Sequence, residues 1–126
     1  MALARNNPGD GDQRTALSRP GVVETVIKGR LTAKLIEAAL SDLERLGAGP
    51  VWLFDTVACT GFDTEIVKIG SAALARLKKR GLKRVVGIIP SAALRMAARA
   101  ATLTSGLDIR LVERRPEAMP LLALDV

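Results

Sequence analysis

Apolar and polar positions divide the chain into segments of two different periodicities. Short apolar runs rich in β-branched residues are typical of strands, whereas an apolar residue every three or four positions is typical of a helix. The predicted strands are residues 21–28, 51–54, 82–89 and 109–113. The predicted helices are residues 33–46, 64–80 and 92 to about 104, with a last one from residue 116. Because strand and helix alternate, we predict an α/β fold with a four- or five-stranded, mostly parallel sheet and about four helices.

Capping residues indicate where the predicted helices begin. Thr32, Asp63 and Ser91 each precede a helical pattern, and their side-chain oxygens can accept a hydrogen bond from the first helical turn. Residues 1–19 mix Asn, Gly, Asp, Arg and Pro, so we expect a flexible N-terminal tail there. A single domain would then occupy residues 20–126, and its first pair of strands could run parallel or antiparallel.

The most informative stretch is PVWLFDTVACTGFDTEI, residues 50–66. Its apolar run stops at an aspartate, a loop of small and polar residues follows, and a second aspartate stands where the next helix begins. Open α/β sheets place functional groups at the carboxyl ends of their strands, so we predict a partner-binding loop over residues 55–64. Its candidate contact residues are Asp55, Thr56, Thr60, Gly61, Phe62 and Asp63. Two residues of this loop have other candidate roles. Asp55 could instead accept hydrogen bonds from backbone N–H groups in the turn. Thr64 could be a phosphoacceptor.

The residue types that are missing exclude several kinds of catalytic site. The chain has no His and no Tyr and has a single Cys, so neither a Ser-His-Asp triad nor a Cys-His pair can form within it. A zinc site built from His or several Cys is excluded for the same reason. No glycine-rich loop follows a strand in the way a dinucleotide or phosphate loop requires. We therefore predict a protein that is not an enzyme and carries no cofactor or metal.

The net charge of +6 points to a second kind of partner. Basic residues cluster at the end of the second predicted helix and in the turn after it. The members of this basic patch are Arg76, Lys78, Lys79, Arg80, Lys83 and Arg84. Such a cluster either complements the helix dipole and aids solubility or contacts an anionic surface. Aromatic residues make up only 2% of the chain, which makes nucleic acid an unfavourable partner, whereas peripheral contact with a membrane surface stays open.

The stretch from Gly21 to about Leu122 resembles the STAS-like regulatory domains, in particular their SpoIIAA-like branch. The similarity is carried by the first strand and helix, VVETVIKGRLTAKLIEAALSDL, by the Gly61-Phe62-Asp63 sequence, and by the closing segments LKRVVGIIP and DIRLVERRPEAMPLL. Asp63-Thr64 stands where classical members carry an Asp-Ser pair, although Glu65-Ile66 replaces the Ser-Gly that follows in those members.

This resemblance implies a regulatory module that binds a protein partner, either a regulatory kinase or another component of a sigma-factor pathway. The phosphoacceptor role of the classical serine would fall on Thr64. The SpoIIAA-like branch is also similar in fold to lipid-binding SEC14-type domains, so binding of a lipid, a small ligand or an anionic surface is the alternative function. We expect a cytoplasmic protein, because residues 1–14 lack an apolar signal-peptide core, and either a monomer or a weak homodimer.

Overall fold

The computed structural model describes residues 11–47 and 49–123. The strands are β1 (Asp12–Arg19), β2 (Val22–Leu31), β3 (Val51–Phe62), β4 (Arg84–Ile88) and β5 (Asp108–Val112). The helices are α1 (Ala33–Leu46), α2 (Ile66–Lys79), α3 (Ala92–Thr102) and α4 (Arg115–Ala118), and a 3₁₀ turn over Met119–Leu121 extends α4. The strands form one sheet in the order β1-β2-β3-β4-β5, in which only β1 runs antiparallel to its neighbour. The predicted α/β fold with a mostly parallel sheet is therefore confirmed.

The first strand, β1, corrects the prediction of a flexible tail. Residues 12–19 pair antiparallel with β2, from Asp12 opposite Lys28 to Arg19 opposite Val22. Polar side chains tie this strand down, since the amide of Gln13 donates to Asp42 on α1 at 2.9 Å. The strand was not recognised in the sequence because most of its residues are polar. An edge strand can be polar, since one of its faces is exposed to solvent and polar side chains on the other face can form hydrogen bonds. The rest of the predicted tail, residues 1–10, lies outside the described residues.

Two hydrophobic cores lie on opposite faces of the sheet. The larger one lies beneath α1, α2 and α3 and includes Ile27, Leu43 and Leu77. The smaller one lies beneath α4 and includes Leu53 and Ala118. Burial on both faces explains why the central strands are continuous apolar runs instead of alternating ones.

The third strand is much longer than the sequence predicts, and this is the main correction to the candidate site. Residues 55–62, predicted as a loop, continue β3 and pair with the second half of β2. The pairing shifts register twice, and at the second shift Gly29 adopts a φ of 76°, which favours glycine. On its other side β3 is paired only as far as Asp55, opposite Ile88 of β4. The end of β3 therefore projects beyond β4 at the carboxyl edge of the sheet.

The helix starts follow the predicted capping residues in two of three cases. The hydroxyl of Thr32 accepts from the Leu35 amide at 3.2 Å, and the hydroxyl of Ser91 accepts from the Leu94 amide at 3.1 Å. The carboxylate of Asp63 does not cap α2, which begins without a side-chain capping bond. None of the helices within residues 11–47 and 49–123 combines the length and the apolar character needed to cross a bilayer.

Candidate functional site

Asp55 is part of an internal ion triad and does not lie on a partner-binding loop. Its Oδ2 accepts a hydrogen bond from Arg115 Nη1 at 2.8 Å, and the same nitrogen lies 2.6 Å from Glu24 Oε2. Its Oδ1 accepts from the backbone N–H of Val57 at 2.9 Å, which is the Asx-type role considered from the sequence. The hydrogen bond to Glu24, with further help from the charge of Asp55, raises the pKa of Arg115 despite its partial burial. The triad thus joins α4 to the middle of the sheet.

Thr56 is likewise buried. Its hydroxyl donates to the carbonyl of Ile88 at 2.9 Å, at the point where β4 ends. This bond ties β3 to the end of β4. Asp55 and Thr56 therefore stabilise the fold, and neither is exposed enough to make the predicted contact with a partner.

Asp63 is held by an arginine that the sequence analysis missed. Arg30 Nη2 lies 2.6 Å and Nε 2.9 Å from the same carboxylate oxygen, and Nη2 also donates to the Phe62 carbonyl at 3.2 Å. Arg30 and Gly61 are opposite each other in the β2–β3 pairing, and a side chain at Gly61 would begin 3.2 Å from the guanidinium. This arginine could have been found only by predicting that β2 continues past Gly29, because the glycine and arginine suggest a turn.

Thr64 and Glu65 form an exposed turn between β3 and α2. The carbonyl of Thr64 accepts from the amide of Val67 at 3.2 Å, so the turn leads directly into the helix. Thr64 is exposed to solvent. The carboxylate of Asp63 beside it already has a cationic partner in Arg30.

A groove of about 340 Å³ lies between the end of β3 and the start of α3. Its lining residues are Thr56, Val57, Cys59, Thr60, Gly61, Phe62, Pro90, Ser91 and Leu94. The structure thus brings part of the predicted loop together with the β4–α3 connection, which the sequence analysis did not include. The signal for that second part was present, because a Pro-Ser pair follows the next parallel strand and parallel strands end at the same edge.

Within the groove, the side chains differ in how exposed they are. Val57 is 57% exposed, and Thr60 is also exposed. The Cys59 thiol donates to the carbonyl of Gly61 at 3.1 Å, so it is tied to the strand's own backbone. On the opposite wall Pro90 and Ser91 are exposed as well, so the groove presents both apolar and hydroxyl-bearing side chains to solvent. In the part of the chain that the structure describes, no group of three or more His, Cys, Asp or Glu is placed to hold a metal ion.

Two solved structures are similar to this chain over nearly its whole length. One is an anti-sigma factor antagonist from Mycobacterium paratuberculosis, with a TM-score of 0.66 and 17% identity over 94% of this chain and 98% of that one. The other is an uncharacterized protein with a SpoIIAA-like fold from Shewanella loihica, with a TM-score of 0.63 and 20% identity over 97% of this chain and 100% of that one. The chain has a SpoIIAA-like fold. No family model and no curated protein matches the sequence.

The resemblance to STAS-like domains, and to the SpoIIAA-like branch in particular, is thus confirmed at the level of the fold. This SpoIIAA-like domain places Thr64 in the turn between its third strand and second helix. The turn lies at the edge of the sheet where the groove also opens, so the two features can contribute to one surface.

The predicted basic patch is smaller in the structure than in the sequence. Arg84 is buried, and its guanidinium donates to Asp108 at 2.7 Å and to the carbonyls of Leu121 and Ala123. It therefore holds the segment that follows α4 in place instead of facing an anionic surface. Arg76 and Arg80 each lie 3.7 Å from one carboxylate, that of Glu44 on α1, which offsets part of their charge. The exposed lysines of the patch are Lys78, Lys79 and Lys83.

Proposed function

We propose that this SpoIIAA-like domain is a non-enzymatic regulatory module that binds a protein partner of a sigma-factor pathway. The binding surface, called the docking face below, consists of Val57, Thr60, Phe62, Asp63 and Thr64. The observation that carries the proposal is the exposed Thr64 turn beside a groove at the carboxyl edge of the sheet. The similarity in fold to an anti-sigma factor antagonist supports the choice of partner class.

The docking face combines features that suit a reversible protein contact. Val57 supplies an exposed apolar contact, called the anchor here, whose burial against a partner would remove apolar surface from water. Thr60 and Thr64 supply hydroxyl groups at the rim, where hydrogen bonds favour one orientation. Because β3 is paired with β2 up to Phe62, the anchor is on a rigid strand and loses little conformational entropy on binding.

Phosphorylation of Thr64 would change the charge of the docking face. A phosphate adds a charge of about −1.5 to −2 beside Asp63, whose carboxylate already forms an ion pair with Arg30. The phosphate and the carboxylate would then compete for one guanidinium, since both bind arginine through paired N–H groups. We expect the Arg30–Asp63 pair to open and the turn before α2 to rearrange. This rearrangement would weaken binding of any partner that fits the unmodified face.

The proposal is tested by titrating the full chain, in a calorimeter, with purified anti-sigma factors encoded in the same genome. We expect Val57→Asp and Thr64→Glu each to weaken binding by about tenfold or more, because one places a charge at the anchor and the other imitates the phosphate. Glu37→Lys, on the exposed face of α1, is the matched control and should bind as the wild type does. Circular dichroism verifies that each variant is folded.

The result against the proposal would be wild-type affinity in both docking-face variants, or no binding to any of these factors. Mass spectrometry of the chain after incubation with the kinases of the same genome tests the modification separately. Phosphate on Thr64 supports the switch. Phosphate on other residues only would leave the docking face in place but remove its regulation.

A further inference from the structure

The first strand, β1, has an open outer edge. Within residues 11–47 and 49–123, it pairs with β2 on one side and with no strand on the other. Its eight residues include neither Lys nor Pro, which commonly keep an edge strand from pairing with another chain. The opposite edge strand, β5, has only five residues. The long edge of β1 therefore offers its backbone N–H and C=O groups to a further strand.

Asp12, Arg14 and Ala16 lie on the face of the sheet that α4 covers. Ala16 is opposite Glu24 of β2, and residues directly opposite each other project from the same face. Glu24 forms an ion pair with Arg115 of α4, which identifies that face. Arg14 and Asp12 follow at alternate positions back along the strand, so they share it. All three residues are exposed, and within the described part of the chain Asp12 forms no ion pair.

A β-bulge brings Arg19 to the same face. The pairing with β2 shifts by one residue between Leu17 and Arg19, which reverses the alternation of the residues that follow. Arg19 Nη2 accordingly lies 4.0 Å from Met119 Sδ, in the turn that extends α4. One exposed strand therefore carries opposite charges at its two ends, Asp12 and Arg19, on one face.

We propose that β1 pairs antiparallel with β1 of a second copy of this chain, about a two-fold axis at Thr15. Every second residue of a strand directs its N–H and C=O groups to the same edge, and opposite residues of an antiparallel pair either both do so or both do not. In a symmetric pair of identical strands, the axis must therefore pass through a residue and not between two residues. This condition leaves few registers for the pairing.

The charges select Thr15 among these registers. With the bulge counted, an axis at Thr15 places Asp12 of each copy opposite Arg19 of the other and forms two ion pairs. An axis at Arg14 sets the two Arg14 side chains opposite each other, and an axis at Ala16 sets Arg14 opposite Arg19. Like charges directly opposite each other destabilise a pair of strands. Axes nearer the ends pair no more than half of β1.

The same register covers the exposed apolar residue of β1. Leu17 is 65% exposed, and it is opposite Val23, which belongs to the core beneath α1. With the axis at Thr15, Leu17 lies opposite Gln13 of the other copy, whose amide donates to Asp42 on the α1 of that copy. The second copy therefore removes Leu17 from water. The inference does not depend on the proposed docking to a sigma-pathway protein, since none of the five docking-face residues lies on β1.

Sedimentation velocity of the full chain over a series of concentrations tests the pairing. We expect the wild type to show a concentration-dependent equilibrium between monomer and dimer. Asp12→Arg replaces both ion pairs by like charges, and we expect it to raise the dissociation constant of the dimer by about tenfold or more. Glu37→Arg makes the same change of charge on the side of α1 that lines a groove with α2, and it should dimerise as the wild type does.

A mixture of two charge variants tests the register itself. Arg19→Asp alone should weaken the dimer as Asp12→Arg does, because it sets an aspartate opposite an aspartate at both sites. Mixed in equal amounts, the two variants should form a heterodimer with about the affinity of the wild type, because each site then joins an arginine to an aspartate. Circular dichroism verifies that each variant is folded on its own.

Three results would overturn the inference. The first is a wild-type chain that stays monomeric at every concentration, which would leave the edge to a different strand. The second is a dimer that Asp12→Arg weakens no more than Glu37→Arg does, which would place the interface elsewhere. The third is a mixture of Asp12→Arg and Arg19→Asp that associates no better than either variant alone, which would exclude the register about Thr15.

Discussion

The ion triad of Arg115, Glu24 and Asp55 leads to the most direct prediction about stability. Both carboxylates are largely buried, with side chains 17% and 11% exposed, whereas the arginine is 45% exposed. Arg115→Met removes the positive charge and keeps most of the aliphatic stem. The two carboxylates would then face each other with no counter-ion.

The magnitude follows from this geometry. One oxygen of each carboxylate contacts the same nitrogen, at 2.6 Å and 2.8 Å, so the two oxygens are no more than about 5.4 Å apart. At an effective dielectric constant of about 20 their repulsion is roughly 3 kcal/mol. Removing one partner from a fully buried pair costs about 3–5 kcal/mol, whereas a surface pair is worth about 0–1 kcal/mol. Because Arg115 is half-exposed, solvent reduces the cost, and we expect the free energy of unfolding to fall by about 2 kcal/mol.

Urea unfolding at pH 7, followed by Trp52 fluorescence, measures this change. For a small domain, a loss of about 2 kcal/mol lowers the urea midpoint by about 1 M or slightly more. Arg114→Met is the matched control, since this neighbouring arginine is 79% exposed and lies 3.9 Å from Glu117. We expect its cost to be about 0.5 kcal/mol or less. The double variant Arg115→Met/Asp55→Asn should be more stable than the sum of its single changes, because it removes one of the two unpaired charges.

The reasoning is refuted if Arg115→Met unfolds at the same urea concentration as Arg114→Met. The triad would then contribute nothing to the attachment of α4.

Two further predictions concern a carboxylate and a helix cap. Hydrogen bonds from Arg110, and to a smaller extent from Arg84, hold the pKa of Asp108 below its ordinary value of 3.8. The ionised carboxylate therefore stabilises the fold above that pH, and this stabilisation is lost as the pH falls through the lowered pKa. Asp108→Asn should therefore be less stable at pH 7 and lose less stability than the wild type between pH 4 and pH 2, as measured by urea unfolding; parallel acid curves would contradict this. Thr32→Ala removes the cap of α1 and should lower the free energy of unfolding by about 1 kcal/mol. Thr32→Ser keeps the hydroxyl and should retain most of that stability. Equal losses in both variants would show that the hydroxyl does not stabilise the helix.

The parts of the fold that the sequence predicted well are those governed by local pattern. Helix α1 was predicted at residues 33–46, and the structure gives Ala33–Leu46, because an apolar stripe and the Thr32 cap agree along the chain. Strand β1 was missed because its polar side chains are satisfied by distant residues such as Asp42. The length of β3 was missed because small and polar residues suggest a loop unless a neighbouring strand is present to pair with them.

The sequence by itself determined that this is an α/β domain with apolar central strands, since burial on both faces requires continuous apolar runs. It also indicated the carboxyl end of β3 as the place to look for function. Only the tertiary structure decided the role of each residue there: Asp55 and Thr56 are bonded inside the fold, Arg30 is placed against Asp63, and Thr64 is left exposed. The physical reason is that hydrogen-bond partners of buried polar groups come from residues distant in the chain, so only the pairing of strands reveals which side chains are still free to meet a partner.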